Sequence, residues 1–289
     1  TFQTGQVSLE RVEELLRRQP RIQSPDPAVA APEPARGALE ARGLTVRYAG
    51  SPHLALSEVS FRLSPGELVA VVGPVGCGKT TLARALGRMV EVEPGQLWLD
   101  GVDVTTLHLH DLRQRVALVP QEGFLFTASL ADNLRYGEPR APMERVEQAA
   151  QQARLEGDIR GFPDGYDTLV GERGITLSGG QRQRTALGRA LLMRAPLLVL
   201  DDALASVDNS TAAEILRSVR QQSARSGQGR TVLMISHQLS AAAACDRVLV
   251  LEEGRLVQQG THEQLLHQPG TYRRLWDREQ VDAELGAAR

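Results

Sequence analysis

Residues 73–81 combine three glycines with the only lysine of the chain, Lys79, at a spacing suited to binding phosphate. Residues 73–80 read Gly-Pro-Val-Gly-Cys-Gly-Lys-Thr and fit G-x-x-x-x-G-K-[S/T]. Glycine lets successive backbone N–H groups turn toward one anion, and a helix N-terminus after the loop adds partial positive charge. The loop therefore predicts a nucleoside triphosphate site, with ATP as the expected nucleotide. The predicted contacts are Gly73, Pro74, Val75, Gly76, Cys77, Gly78, Lys79, Thr80 and Thr81.

Three residues of this loop have separate predicted roles. Lysine occurs once among the 33 Lys and Arg residues, and a compact ammonium fits between phosphate oxygens where a planar guanidinium does not. Lys79 is therefore predicted to reach the β- and γ-phosphates, and the Thr80 hydroxyl to bind Mg²⁺. Cys77 lies near the predicted helix N-terminus, where the pKa of a thiol tends to fall. Two interpretations of Cys77 are open: a thiol reagent that modifies it blocks nucleotide binding, or it is simply a small residue that fits in the loop.

A carboxylate, Asp201, ends the apolar run of residues 197–201, and Asp202 follows it. A continuous apolar run is typical of a strand buried on both faces. An acid at the carboxyl end of such a strand, beside a phosphate loop, normally holds Mg²⁺ through water. The sequence therefore predicts a metal role for Asp201. Many core strands end in Asp, so this prediction depends on the phosphate loop.

A second anion-binding helix end is indicated at Ser178, because two glycines and a predicted helix follow it. Residues 177–181 read Leu-Ser-Gly-Gly-Gln and precede Arg-Gln-Arg. With the phosphate loop and the strand that ends in Asp201, this motif makes the sequence closely resemble the ATP-binding cassette (ABC) family. The resemblance runs from about Leu39 to the C-terminus, and it implies ATP and Mg²⁺ as the ligands.

The resemblance also implies roles for further residues. Tyr48 matches the aromatic residue that stacks on adenine, and His237 matches a switch histidine that senses the γ-phosphate. Gln121 matches the glutamine that links the metal site to the transmembrane partner, so it is predicted as a metal ligand and as a catalytic residue. A plain strand aromatic, a surface glutamine and a structural histidine are the alternatives. The signature residues, which in this family contact ATP held by the opposing subunit, are Leu177, Ser178, Gly179, Gly180 and Gln181.

Asp202 departs from the family pattern, because most active cassettes have glutamate at this position to polarise the attacking water. Aspartate has one methylene less, which removes about 1.5 Å of reach. Proton transfer needs heavy atoms at hydrogen-bond distance, so we expect slow turnover at the site built on Lys79 and Asp202. In the family, this change resembles one half of a heterodimeric exporter with a degenerate ATP site. A homodimer that tolerates aspartate is the alternative.

Several segments resemble the exporter branch of the family. Residues 170–174 and 124–134 match exporter segments, and residues 205–208 match the loop that crosses the dimer interface. The apolar spacing of residues 5–18 predicts an amphipathic helix that resembles the tail of a last transmembrane helix. We therefore expect a transmembrane domain upstream of Thr1, and a location at the cytoplasmic face of the inner membrane.

The elements that must position these residues alternate between strands and helices, which predicts an α/β fold with a mostly parallel sheet. The resemblance makes this a P-loop NTPase core with an antiparallel β edge subdomain and an inserted helical subdomain that carries the signature motif. We expect a Pro/Ala-rich linker at 24–37, so that residues 1–37 precede a cassette at 38–289, with its helical subdomain at about 126–190. Residues 96–101 are predicted as another edge strand. A capping box at Thr261 predicts a helix near the C-terminus.

Composition narrows the function classes. The 289 residues are 42% hydrophobic and 24% charged, and the formal net charge of −2 gives no bulk electrostatic reason to bind nucleic acid. Two cysteines are too few for a disulfide framework and favour a reducing compartment. The main prediction is an ATPase motor domain that works with a transmembrane domain and a second half-transporter subunit. A soluble ABC-type ATPase and a non-hydrolysing nucleotide-binding module are the alternatives, and the solute stays unassigned.

Overall fold

A computed structural model describes residues 9, 11–14, 16–17, 19–171, 175–205, 207, 211–212, 214–219 and 229–287. Parts of three predicted segments lie outside these residues. They are Val7 and Leu15 of the amphipathic helix, residues 172–174 of the exporter-like segment, and Ser206 and Asp208 of the interface loop.

The described residues form short strands and helices in alternation. The strands are β1 Leu39–Arg47, β2 Leu54–Leu63, β3 Leu68–Val72, β4 Leu97–Leu99, β5 Val102–Asp103, β6 Val116–Val119, β7 Ala128–Ser129, β8 Leu169–Val170, β9 Leu197–Asp201, β10 Thr231–Ile235, β11 Arg247–Glu252 and β12 Arg255–Gly260. The helices are α1 Lys79–Leu86, α2 Leu109–Arg115, α3 Leu130–Arg135, α4 Met143–Gln152, α5 Glu156–Arg160, α6 Gly179–Leu192, α7 Leu239–Ala242, α8 His262–His267 and α9 Thr271–Ala287.

The central sheet has six strands in the order β12-β11-β3-β10-β9-β6. All neighbours pair in parallel except β12, which is antiparallel to β11. Every residue of β3, β9 and β10 is buried, as their continuous apolar runs predict. Alternate residues of β3 face two different hydrophobic cores, with Val69 and Val71 on one side and Ala70 and Val72 on the other. Parallel pairing brings the carboxyl ends of these strands to one edge, where ligands bind in open α/β sheets.

A four-stranded antiparallel sheet in the order β2-β1-β4-β5 covers one of these cores. The predicted strand at residues 96–101 is confirmed at Leu97–Leu99, but its edge position is wrong. β4 lies between β1 and β5, because the chain reverses at Asp100 and Gly101 and adds β5 beyond it. Both turn residues have positive φ, 51° and 81°.

Helices α3 to α6 pack together, and in the chain they lie between β6 and β9 of the central sheet. Their residues share the other hydrophobic core with β3 and β9. Gly188 of α6 permits the close approach of α3, because a Cβ at this position would lie 2.7 Å from Leu134 Cδ2. The helix predicted to follow Ser178 is confirmed as α6, Gly179–Leu192. The capping box at Thr261 is also confirmed, and it begins α8.

The Pro/Ala-rich segment 24–37 forms no helix, and it packs on the domain through a β-bridge from Val29 to Leu107. The Val29 N–H donates to Thr106 O at 2.9 Å. Ala31 packs against the core beneath the antiparallel sheet. Arg115 Nη1, at the end of α2, donates to Pro32 O at 2.7 Å. Composition predicts that such a segment has no hydrophobic core of its own. It does not show that the segment can pack against the core of the neighbouring domain.

The N-terminal apolar residues that the structure describes are exposed. Residues 11–14 and 16–17 are helical, in agreement with the predicted amphipathic helix. Leu9, Val12 and Leu16 have 64%, 54% and 80% of their surface exposed. No helix within the described ranges has both the length and the apolar character needed to span a bilayer.

Candidate nucleotide site

Residues 73–78 connect β3 to α1 through a loop that only glycine can form at two positions. Gly73 and Gly78 have φ of 153° and 105°. A Cβ on Gly73 would lie 2.0 Å from Leu251 O, and a Cβ on Gly78 would lie 2.5 Å from Ala55 O. The loop is therefore enclosed by β2 and the end of β11. Such a backbone can turn several N–H groups toward one anion at the N-terminus of α1.

The Lys79 ammonium is held by its own loop. Lys79 is the first residue of α1 and is only 5% exposed. Its Nζ donates to Gly73 O at 2.8 Å and to Pro74 O at 2.9 Å. These carbonyls place the charge inside the loop, where phosphate oxygens of a nucleotide could replace them as stronger, charged acceptors.

Cys77 does not have the lowered pKa that its sequence position predicts. The thiol is buried, with 5% of the residue exposed. Burial raises the pKa of the Cys77 thiol, although Lys79, whose Nζ lies 3.8 Å from Sγ, acts in the opposite direction. Desolvation outweighs the helix N-terminus here. The Sγ also lies 2.8 Å from where a Cβ of Gly73 would be, which favours the interpretation of Cys77 as a small residue that fits.

Thr80 and Asp201 meet beside the loop and fit a Mg²⁺ site. Thr80 Oγ1 donates to Asp201 Oδ1 at 3.2 Å. Burial raises the pKa of the Asp201 carboxyl, and so does the adjacent Asp202, whereas the hydrogen bond from Thr80 lowers it. Among the described residues no group of three or more His, Cys, Asp or Glu side chains could hold a metal. A hydroxyl and one carboxylate suit Mg²⁺, which takes few protein ligands and completes its shell with phosphate oxygens and water.

Asp202 and His237 lie next to this pair, at the ends of neighbouring strands. Asp201 is paired with Ile235 of β10, and the Asp202 N–H donates to Ile235 O at 3.0 Å. The His237 N–H donates to Asp202 Oδ1 at 3.4 Å, and His237 Nε2 lies 4.0 Å from Asp202 Oδ2. The carboxylate is 9% exposed and the imidazole 43%. The imidazole can therefore reach a ligand on the open side of the carboxylate.

Gln121 follows β6, whose Val119 is paired with Leu200 of β9, so it leaves the sheet at the same edge as Asp201. Gln121 is exposed. The Gln121 carbonyl accepts a hydrogen bond from Gln183 Nε2 at 3.1 Å. Gln183, a buried residue of α6 that carries no predicted role, thereby connects this loop to the helix that follows the signature motif.

Tyr48 follows β1 and contacts α1. Its Oη lies 3.2 Å from Thr81 Oγ1, at hydrogen-bond distance. Tyr48 is 37% exposed, so part of its ring is open to solvent beside the loop. This placement is compatible with stacking on adenine, which stays a prediction.

The signature motif begins α6 with a capping box. Ser178 Oγ accepts from the Gln181 N–H at 3.2 Å, and Gln181 Oε1 accepts from the Ser178 N–H at 2.8 Å. Ser178 and Gly179 are exposed, whereas Leu177 packs into the helical core. The helix N-terminus is therefore capped by side chains and open to an anion on the side of Ser178 and Gly179. Leu177 does not offer its side chain to a ligand on that side.

Comparisons with known proteins agree with this arrangement. The family model described as ABC transporter matches residues 56–205. The multidrug resistance-like ATP-binding protein MdlA of Escherichia coli K12 is 38% identical over 284 residues, which is 98% of this chain and 47% of that protein. The ATP-dependent lipid A-core flippase of Pseudomonas fluorescens Pf0-1 is 40% identical over 276 residues, which is 95% of this chain and 45% of that protein.

A solved structure of a bacterial Atm1-family ABC exporter with ATP bound is also similar. Its TM-score is 0.87 at 34% identity, over 96% of this chain and 47% of that one. The chain thus spans about half the length of the relatives it matches. Its fold is that of an ABC cassette, with a P-loop NTPase core and an antiparallel subdomain. Domains of this family bind ATP with Mg²⁺, and the loop and the Thr80–Asp201 pair fit both. Because the family model covers more than half of its residues, the chain belongs to the ABC transporter family.

Proposed function

We propose that this chain is the motor domain of an exporter, in which it binds ATP and Mg²⁺ and closes on a partner cassette. Hydrolysis then drives a solute across a membrane through a transmembrane domain. The observation that carries the proposal is the meeting of Thr80, Asp201, Asp202 and His237 beside a glycine-enclosed lysine loop. Similarity to proteins named as exporters and flippases supports export over a soluble, non-transport role.

ATP binding uses groups that the loop already orients. The β- and γ-phosphate oxygens take the Lys79 ammonium from the carbonyls of Gly73 and Pro74, and the N-terminus of α1 adds backbone donors. Thr80, Asp201 and Gln121 are the residues that would hold Mg²⁺, which neutralises charge between the β- and γ-phosphates. Tyr48 supplies a ring for the adenine.

Asp202 and His237 serve the hydrolytic step in this proposal. The Asp202 carboxylate takes a proton from the attacking water as the bond to the γ-phosphorus forms and the bond to ADP breaks. His237 contacts the γ-phosphate from the exposed side of Asp202. Because aspartate reaches less far than glutamate, this site turns over slowly, and the partner's site, completed by residues 177–181 of this chain, is the faster one.

The proposal is tested by the Lys79→Ala variant in the native membrane assembly. We expect it to lose ATP binding at this chain's site by about tenfold or more, because a charged hydrogen-bonding group is removed. Arg278→Ala, which removes an exposed ion-pairing side chain of α9, is the matched control. Binding is measured with a fluorescent ATP analogue, with and without Mg²⁺, and transport in vesicles. Equal ATP affinity in Lys79→Ala and the control would contradict the nucleotide site itself.

A further inference from the structure

Asp158 of α5 contacts the first turns of α6 although it belongs to none of the motifs described above. Its Oδ1 accepts from Gln181 Nε2 at 3.1 Å, and its Oδ2 accepts from Arg184 Nη2 at 2.7 Å. The Arg184 and Asp158 side chains are 18% and 20% exposed, so solvent screens this ion pair only in part. One carboxylate therefore joins α5 to the last residue of the signature motif.

The contact continues from Gln181 to Ser178. A carboxylate only accepts hydrogen bonds, so Asp158 fixes which end of the Gln181 amide faces it. The other end, Oε1, accepts the Ser178 N–H at 2.8 Å. Ser178 Oγ in turn accepts the Gln181 N–H at 3.2 Å, and its hydroxyl can still donate to an anion. Asp158 is thereby linked through Gln181 to the exposed Ser178.

The charge of Asp158 is compatible with anion binding at this helix end because Arg184 neutralises it. An unpaired carboxylate near a helix N-terminus would compete with an incoming phosphate for the same partial positive charge. Arg184 Nη2 donates to the Asp158 carboxylate at 2.7 Å, so the two opposite charges offset each other. Charge-assisted hydrogen bonds are about twice as strong as neutral ones, so the contact orders the amide effectively.

We propose that Asp158 is a positioning residue for the signature motif, and that it holds Ser178, through Gln181, for a phosphate of ATP bound by the partner cassette. The proposal rests on the proposed function, in which residues 177–181 act on the partner's ATP. It predicts that Asp158 affects turnover at the partner's site and leaves ATP binding at this chain's Lys79 unchanged.

The test is a double-mutant cycle in the native assembly, with Asp158→Asn and Gln181→Ala made singly and together. We expect Asp158→Asn to lower kcat for ATP by about tenfold, the scale of one charge-assisted hydrogen bond. Because Asp158 acts through Gln181, the double variant should be little slower than the slower single variant. Glu156→Gln is the matched control on the same helix, since Glu156 is 47% exposed and its ion pair with Arg160 is long, at 4.0 Å. It should keep the wild-type kcat.

Two further measurements separate positioning from a general loss of structure. ATP affinity at this chain's site should stay within about twofold of wild type, because the Asp158 carboxylate acts on α6. Asp158→Glu, which keeps the charge, should retain more turnover than Asp158→Asn. The proposal is overturned if Asp158→Asn keeps the wild-type kcat, or if the losses from Asp158→Asn and Gln181→Ala multiply in the double variant. It is also overturned if Asp158→Glu and Asp158→Asn lose turnover equally. Failure of the proposed function looks different: the wild-type assembly would then show no Lys79-dependent ATP binding.

Discussion

Asp202 sits in a backbone conformation that suits aspartate better than glutamate. Its φ is 51°, in the left-handed region where Asp and Asn are enriched among residues with a side chain. Its N–H is fixed to Ile235 O at 3.0 Å and its Oδ1 faces the His237 N–H. The carboxylate is therefore held close to the strand ends, where its shorter side chain limits how far it extends toward a water on the γ-phosphate side.

We expect Asp202→Glu to raise ATP turnover at this chain's own site by about tenfold or more, because general-base catalysis contributes 10²–10⁴-fold when geometry is correct. The site is measured alone in a Ser178→Arg background, in which the partner's site lacks this chain's signature serine. Asp202→Asn is the matched control and should not exceed the wild-type rate. Unchanged turnover in Asp202→Glu would contradict the assignment of a slow site to the missing methylene.

At the scale of elements, the sequence predicts what local patterns determine. β3, β9, β10 and β11 are continuous apolar runs, and Ser178 and Gln181 mark the start of α6. The positions of these elements can therefore be predicted from the sequence. Parallel topology also predicts that Thr80 and Asp201 meet. β5, β7 and β8 have two residues each, and β12 alternates between exposed and half-buried residues, so only tertiary pairing defines them. The contact between Asp158 and Gln181 depends on the packing of α5 on α6, which no local pattern encodes.

The packed segment 24–37 yields a prediction at this scale. Arg115→Ala removes the contacts of α2 with Pro32 O and the Glu33 carboxylate, both at 2.7 Å. We expect Tm to fall by about 2–6 °C, from the loss of roughly 1–2 kcal/mol in hydrogen bonds. Trypsin should also cleave faster after Arg36, as the segment leaves the domain more often.

Glu33→Gln is the control for this experiment. Its carboxylate is 77% exposed, so its ion pair contributes little, and both Tm and the cleavage rate should stay close to wild type. Equal cleavage rates in Arg115→Ala and wild type would show that the segment is held by its apolar contacts, such as Ala31, and not by Arg115.

For the whole molecule, the proposed function gives one chain parts of two different ATP sites. The loop at 73–81 and the pair Asp201–Asp202 belong to its own site, and the exposed Ser178 faces outward at the start of α6. Gln183 Nε2 donates to Gln121 O at 3.1 Å, so a hydrogen bond joins α6 to the loop that follows β6. A chain with an intact signature and an aspartate in place of glutamate should therefore contribute unequally to the two sites.

We expect this inequality to be measurable with two variants of the chain in its native assembly. Ser178→Arg should lower total ATP turnover by about tenfold or more, because it blocks a phosphate contact at the faster site with bulk and misplaced charge. Lys79→Ala should lower turnover by a smaller factor, because it removes ATP from the slower site. A partner that is a second copy of this chain predicts equal losses instead, since each variant would then damage both sites. Steady-state turnover of the two assemblies, at saturating ATP and with matched amounts of protein, therefore distinguishes an unequal pair from a symmetric one.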